Sequence, residues 1–90
     1  MKTGVFIFDT DYSIDIRELA PALEERGFES LFLPEHTHIP TSRISPWGDG
    51  SKPLPPEYWH THDPFVALSF AAAVTTNLKL GTGICLIPQR

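Results

Sequence analysis

Three short stretches hold the residues able to move protons, ligate a metal or attack an electrophile: Asp9-Thr10-Asp11, Glu35-His36-Thr37-His38 and Thr82-Gly83-Ile84-Cys85. Histidine is the one common side chain that titrates near neutrality, and an adjoining carboxylate can fix its tautomer and raise its basicity. Glu35 and His36 are therefore the candidate acid–base pair. Position alone equally allows Glu35, His36 and His38 to be ordinary polar residues leaving a strand.

Two His-x-His pairs, His36-Thr37-His38 and His60-Thr61-His62, raise the question of a metal, because imidazole and carboxylate suit zinc or iron and ligands two apart point the same way along an extended strand. Both pairs lie in or beside a long irregular segment, and Asp63 is better explained as a helix cap, so no metal site is expected. Gly81-Thr82-Gly83 lacks the spacing of a nucleotide phosphate loop and is not followed by a helix start; it reads as a kink in a strand. Cys85, alone in an apolar run, reads as buried filler rather than a nucleophile.

The elements that must position these groups can be read from periodicity. Thr3 to Phe8 is a β-branched and aromatic run with little polar alternation, the pattern of a strand buried on both faces. From Ser13 to Arg26, Ile16, Leu19, Ala20 and Leu23 fall at i, i+3, i+4 and i+7, which predicts an amphipathic helix. Ser13 or Asp15 can cap its start, and Gly27 can end it in the left-handed conformation. Pro21 removes one backbone bond inside this helix, and a bend is expected there. Ser30 to Pro34 reads as a second buried strand. Residues 35 to 62 form a long loop containing Pro40, Pro46, Pro53, Pro55 and Pro56, with Trp47, Tyr58 and Trp59 favouring a lid that packs on something or simply anchoring the loop. Asp63-Pro64 then opens a helix to about residue 76, with Asn77 at its end. That helix is mostly apolar and is expected to be covered, with Phe65, Leu68, Phe70 and Val74 in the core. Leu78 to Ile87 is the third strand.

The alternation of strands and helices argues for a parallel sheet, as in doubly wound folds or (β/α)8 barrels, whose ligands gather at the carboxyl ends of the strands. All three chemistry-bearing stretches sit at such ends. A full (β/α)8 barrel needs about 250 residues, whereas this chain has 90. Three strands and two helices leave both sheet edges open, so the chain reads as one partial α/β unit.

Composition narrows the function classes. With 7 Lys+Arg against 11 Asp+Glu and a formal charge of -4, there is no basic excess to neutralise phosphates or anionic lipid, so neither nucleic acid nor membrane is an expected partner. The longest apolar runs fall far short of the roughly 18 residues of a membrane span, and the amino-terminal apolar stretch is too short for a secretory signal. A cytoplasmic chain is expected. The single cysteine cannot form an internal disulfide.

The stretches GFESLFLPEHTHIP at 27 to 40 and DPFVALSFAAAVTTNLKLGTGICLIPQR at 63 to 90 strongly resemble the amino-terminal part of luciferase-like flavin and deazaflavin oxidoreductases, most closely the branch that uses the deazaflavin coenzyme F420. The resemblance covers nearly the whole chain. It implies the first βαβαβ portion of a (β/α)8 TIM barrel, which the family continues with a further helix and five more strands. It also implies that Glu35 and His36 lie against the cofactor ring, with the histidine handling a proton or holding the substrate oxygen during hydride transfer. Several members have Asp where this chain has Glu35. Thr82, Gly83 and Ile84 match a third-strand bulge in which the family carries a non-prolyl cis peptide supporting the ring. The family binds the cofactor's phosphate and tail largely with later strands and helices.

The resulting expectation is an oxidoreductase moving hydride between coenzyme F420 and a small organic substrate, with little activity in these residues alone and with a homo-oligomeric partner or a complementing barrel remainder. An FMN-dependent monooxygenase of the same superfamily is the rival reading. A non-catalytic, partner-binding fragment is the reading from another class.

Overall fold

The computed structural model describes residues 1–90. The chain runs β1 (Gly4–Phe6), α1 (Ile16–Glu25), β2 (Ser30–Leu33), α2 (Glu57–His60), α3 (Pro64–Ala73) and β3 (Lys79–Thr82), closing with a 3-10 turn at Ile87–Gln89. The strands form one parallel sheet in the order β1-β2-β3. Its register aligns Phe6 with Phe32 and Phe32 with Gly81.

The helix ends follow the sequence signals. Asp15 caps α1 by accepting the Arg17 backbone N–H at 2.8 Å. At the other end Gly27 takes φ 81°, Phe28 N–H donates to Leu23 O and Gly27 N–H to Glu24 O, the paired bonds of a Schellman ending. The helical assignment is unbroken across Pro21, whose ring nitrogen leaves the Arg17 carbonyl without its helical donor. Asp63 caps α3 through both the Phe65 and Val66 N–H groups, with Pro64 at the first helical position.

The α3–β3 turn is held from outside. The Glu24 carboxylate on α1 accepts backbone N–H bonds from Thr76, Asn77 and Leu78. Helix α3 therefore ends at Ala73, three residues before the expected end, and Asn77 serves the turn rather than the helix terminus.

The core lies on one face of the sheet. Leu31 and Leu33 of β2 and Leu78 at the start of β3 are buried against Ala20 and Leu23 of α1 and Ala67 and Ala71 of α3, with Val5, Ile7, Leu19 and Leu80 packed around them. Two expectations are corrected here. The strands are not buried on both faces: Phe6 is 54% and Phe32 40% exposed, because both helices cover the same side. Helix α3 is not covered all round either. Its alanines face the sheet, so Phe65, Phe70 and Val74 remain about half exposed and only Leu68 of the four named aliphatic and aromatic positions packs on the core.

The glycines of the third strand are explained by close approach. A Cβ at Gly81 would stand 2.7 Å from the Phe32 ring, and one at Gly83 would stand 2.6 Å from the Phe6 ring. What approaches is a phenylalanine side chain, Phe32 from the adjacent β2 at Gly81 and Phe6 from β1, one strand further away, at Gly83. The strand itself ends at Thr82 rather than Ile87, although Gly83 N–H still donates to Leu33 O at 2.8 Å. All peptide bonds are trans, so the cis link implied at Gly83-Ile84 is not found.

Candidate functional site

The carboxyl ends of the three strands meet at a cavity of about 490 Å3 lined by Phe6, Phe8, Pro34, Glu35, His36, Tyr58, Gly83, Ile84 and Leu86. Four of the five residues picked from the sequence, Glu35, His36, Gly83 and Ile84, converge there. Thr82 lies one residue earlier and does not line it. The convergence follows from the sheet: β2 delivers Pro34 to His36 past its end, and Gly83 remains bonded to Leu33, which keeps the following residues beside them.

Glu35 is the best fixed side chain of this rim. It is buried, its Oε1 accepts the Leu86 backbone N–H, and its Oε2 accepts from Arg90 Nε at 2.6 Å. The same guanidinium donates through Nη2 to Asp63 Oδ2 at 2.8 Å and lies 4.3 Å above the centre of the Phe65 ring. The Arg90 hydrogen bond, assisted by its charge, holds the Asp63 carboxyl below the ordinary carboxylate range. β3 stops where its pairing partner β2 ends, Leu33 opposite Thr82, and beyond that point Glu35 engages the Leu86 N–H. Both Glu35 oxygens are thus engaged away from His36.

His36 is half-buried and faces an aromatic cluster. Its ring centre is 5.3 Å from that of Tyr58 at an interplanar angle of 33°, and Tyr58 in turn is 5.1 Å from Phe8 and 6.2 Å from Trp47. Tyr58, from the short helix α2, is therefore the residue that joins the loop to the strand ends. Sequence reasoning placed it only as an anchor or part of a lid. The Pro55-Pro56 pair before it was the available signal, since proline is well tolerated in the first turn of a helix.

The remaining candidates are dispersed. His38 is exposed and its Nδ1 lies 3.0 Å from the neighbouring Thr37 hydroxyl. His60 pairs with Asp11 at 3.0 Å. No three His, Cys, Asp or Glu side chains gather in a metal-holding group. Cys85 is a free, half-buried thiol.

At the end of β1 the structure adds something that spacing did not show. Asp9 is 2% exposed, and neither carboxylate oxygen has a hydrogen-bond partner; the buried Thr10 hydroxyl has none either. Burial pushes the Asp9 carboxyl up to about 6, against smaller opposing effects from its own backbone N–H nearby and from the charge of His62. Its alternation with Ile7, which packs on the core, was the sequence signal that Asp9 turns to the helix-covered side.

A parallel sheet with its chemistry-bearing residues at the carboxyl ends is the arrangement shared by doubly wound and barrel-type α/β folds. The chain belongs to the luciferase-like monooxygenase family, whose model matches residues 1–90. It is 38% identical over 89 residues to an uncharacterized protein of Mycobacterium bovis, and equally to uncharacterized proteins of two Mycobacterium tuberculosis strains. The alignment covers 96% of this chain and 31% of each relative, so the chain spans about a third of the length of the curated relatives it matches. No solved structure matches it. Members of the family commonly use flavin-type cofactors. No helix is long and apolar enough to cross a membrane.

Proposed function

We propose that these residues form the ring-facing part of an F420-dependent oxidoreductase site. The observation that supports this is the convergence of His36, Gly83 and Ile84 on one cavity walled by Phe6, Phe8 and Tyr58. The lining fits a planar heterocycle, because it is predominantly aromatic and aliphatic and carries a single imidazole. It does not fit a phosphate: no lysine or arginine lines the cavity. The cofactor's tail is accordingly held by the remainder of the barrel.

A deazaflavin, when bound, supplies the hydride-accepting or hydride-donating carbon. The chain's own groups do the rest. Phe6, Phe8 and Ile84 exclude water from one side of the ring, and the absence of a side chain at Gly83 lets the backbone come close. The imidazole of His36 gives or takes the proton at the substrate oxygen, since its ring nitrogens can donate or accept one. Glu35 fixes the rim through Leu86 and Arg90 rather than touching the reacting atoms. The bare sheet face is completed by further barrel strands or by another subunit.

The test is equilibrium binding of coenzyme F420 and of FMN to the full-length protein carrying this segment, followed by cofactor fluorescence, with substrate-dependent bleaching of the deazaflavin absorbance. Tight deazaflavin binding with turnover supports the proposal. Tight FMN binding with oxygen consumption, and no deazaflavin binding, overturns it in favour of the monooxygenase reading, which the family assignment accommodates equally.

A further inference from the structure

The return leg of the long loop is fastened to the end of β1 step by step. The His62 backbone N–H donates to Asp9 O at 3.0 Å, Thr61 forms an antiparallel bridge with Thr10, and His60 Nδ1 lies 3.0 Å from Asp11 Oδ1. Each residue forward from Asp9 meets one residue back from His62, which is the register of a short antiparallel strap. Asp9 and Thr10 are buried at its inner end, whereas Asp11 and His60 are exposed at its outer end. There the Tyr12 ring stands edge-on to the imidazole, 5.5 Å between centres at 66°.

This strap fixes what faces the ring cavity. Tyr58 precedes His60 by two residues in α2, and its ring forms part of the cavity wall beside Phe8 and His36. From residue 40 to residue 53 the loop is exposed throughout, and Trp47 stands edge-on to the same Tyr58 ring. A helix of four residues has little stability of its own, so α2 takes its position from what holds it. Two of the strap's three links join backbone to backbone. The third, Asp11 to His60, depends on side-chain identity, and it is a full ion pair while His60 carries its proton. An exposed pair of this kind is weak and breaks readily, as a reversible closure requires.

We propose that Asp11 and His60 are positioning residues, a clasp that holds α2 shut so that Tyr58 walls the cavity beside His36, and whose release lets α2 and the exposed loop move away together. The meaning of this closure for catalysis rests on the ring-site reading above, while the closure itself belongs to the chain without any cofactor.

The experiment follows the cofactor-free, full-length protein carrying this segment by NMR at about pH 6, where an ordinary histidine is mostly protonated. Amide exchange is read at His62, whose N–H closes the strap, and at Gly83, whose N–H donates to Leu33 in the sheet, together with the His36 ring resonances. Asp11→Asn and His60→Gln should each speed exchange at His62 by roughly two- to fivefold, the worth of an exposed ion pair, leave Gly83 unchanged, and shift His36 in the same direction. Exchanging the charges, Asp11→Lys with His60→Glu, should restore both readouts, whereas Asp11→Lys alone should loosen the strap further. Equal acceleration at His62 and Gly83 would make the pair a contributor to general stability and overturn the clasp. An unmoved His62 rate, or an exchanged pair no tighter than Asp11→Lys, would overturn it as well. Titration of the unmodified protein with coenzyme F420 keeps the two readings apart, because absence of binding removes the ring site and leaves the exchange result standing.

Discussion

The Tyr58 ring leans over the His36 imidazole at 5.3 Å and 33°, so a residue from the loop sets the environment of the group expected to handle the proton. Tyr58 also contacts Phe8 and Trp47, which makes it the member of the cluster with most to lose. Tyr58→Ala should cost about 1–3 kcal/mol, from lost aromatic pairing and a partly collapsed gap, and should shift the His36 ring resonances. Tyr58→Phe should leave both nearly unchanged. Urea unfolding and histidine NMR check this together; an unmoved His36 signal in Tyr58→Ala would show that the ring is held elsewhere.

His36 itself is the direct test of the chemistry. In the full-length protein, His36→Ala should lower kcat by roughly 100-fold or more, the usual worth of general acid–base catalysis, with cofactor affinity little altered. Steady-state kinetics beside cofactor titration separates the two. A rate equal to that of the unmodified enzyme would remove the imidazole from the reaction.

Gly83→Ala places a methyl group 2.6 Å from Phe6 Cε2, so the Phe6 ring must swing aside, and the wall of the cavity moves with it. Overpacking of this kind costs about 1–3 kcal/mol. Phe6→Leu combined with Gly83→Ala should recover part of that loss. A double-mutant cycle by chemical denaturation measures the coupling, and strict additivity would contradict the contact.

Glu24 fastens the α3–β3 turn through three backbone N–H groups, and these bonds hold its carboxyl below the ordinary value of 4.5. A lowered folded-state value means that the stabilisation is present above pH 4.5 and is lost as the pH falls through the folded value. Glu24→Gln should therefore destabilise the chain at pH 7 and flatten the acid limb of its stability profile. Parallel pH profiles of the two proteins would refute this.

Asp9 has the opposite sign. Below pH 3.8 the folded and unfolded chains both hold the proton. Between 3.8 and about 6 the folded chain alone retains it, so stability declines across this window and levels off above it. Asp9→Asn should raise stability at pH 7 by about 1–3 kcal/mol, the upper end being the full shift and the lower end allowing for screening. The gain should vanish near pH 4, and thermal unfolding at the two pH values tests it.

Much of this arrangement is legible before any coordinates. Asp15, Gly27 and Asp63-Pro64 mark helix ends through local chemistry, and short apolar runs mark the strands, so the order of elements and the meeting of Glu35, His36, Gly83 and Ile84 follow. What was missed depends on residues far apart in sequence. Leu78 to Ile87 reads as one strand because nothing near it discloses that its partner β2 ends opposite Thr82 and that Glu35 then takes the Leu86 amide. The all-apolar face of α3 gives no clue that Ala67 and Ala71 would be the residues buried against the sheet, with Leu68 beside them. The solitude of Asp9 is invisible for the same reason, since a missing partner is a property of space rather than of spacing.

The two phenylalanine rings seated over Gly81 and Gly83 come from different strands yet rest on positions two apart along β3 and the residue that follows it. Sliding β3 by two positions toward its carboxyl end would thrust Lys79 beneath Phe32 and Gly81 beneath Phe6, keeping one notch and blocking the other. Sliding it the opposite way would put Cys85 where Gly83 now sits. The pair therefore works as a ratchet with a single seat, discriminating against slipped sheets during assembly by steric refusal alone.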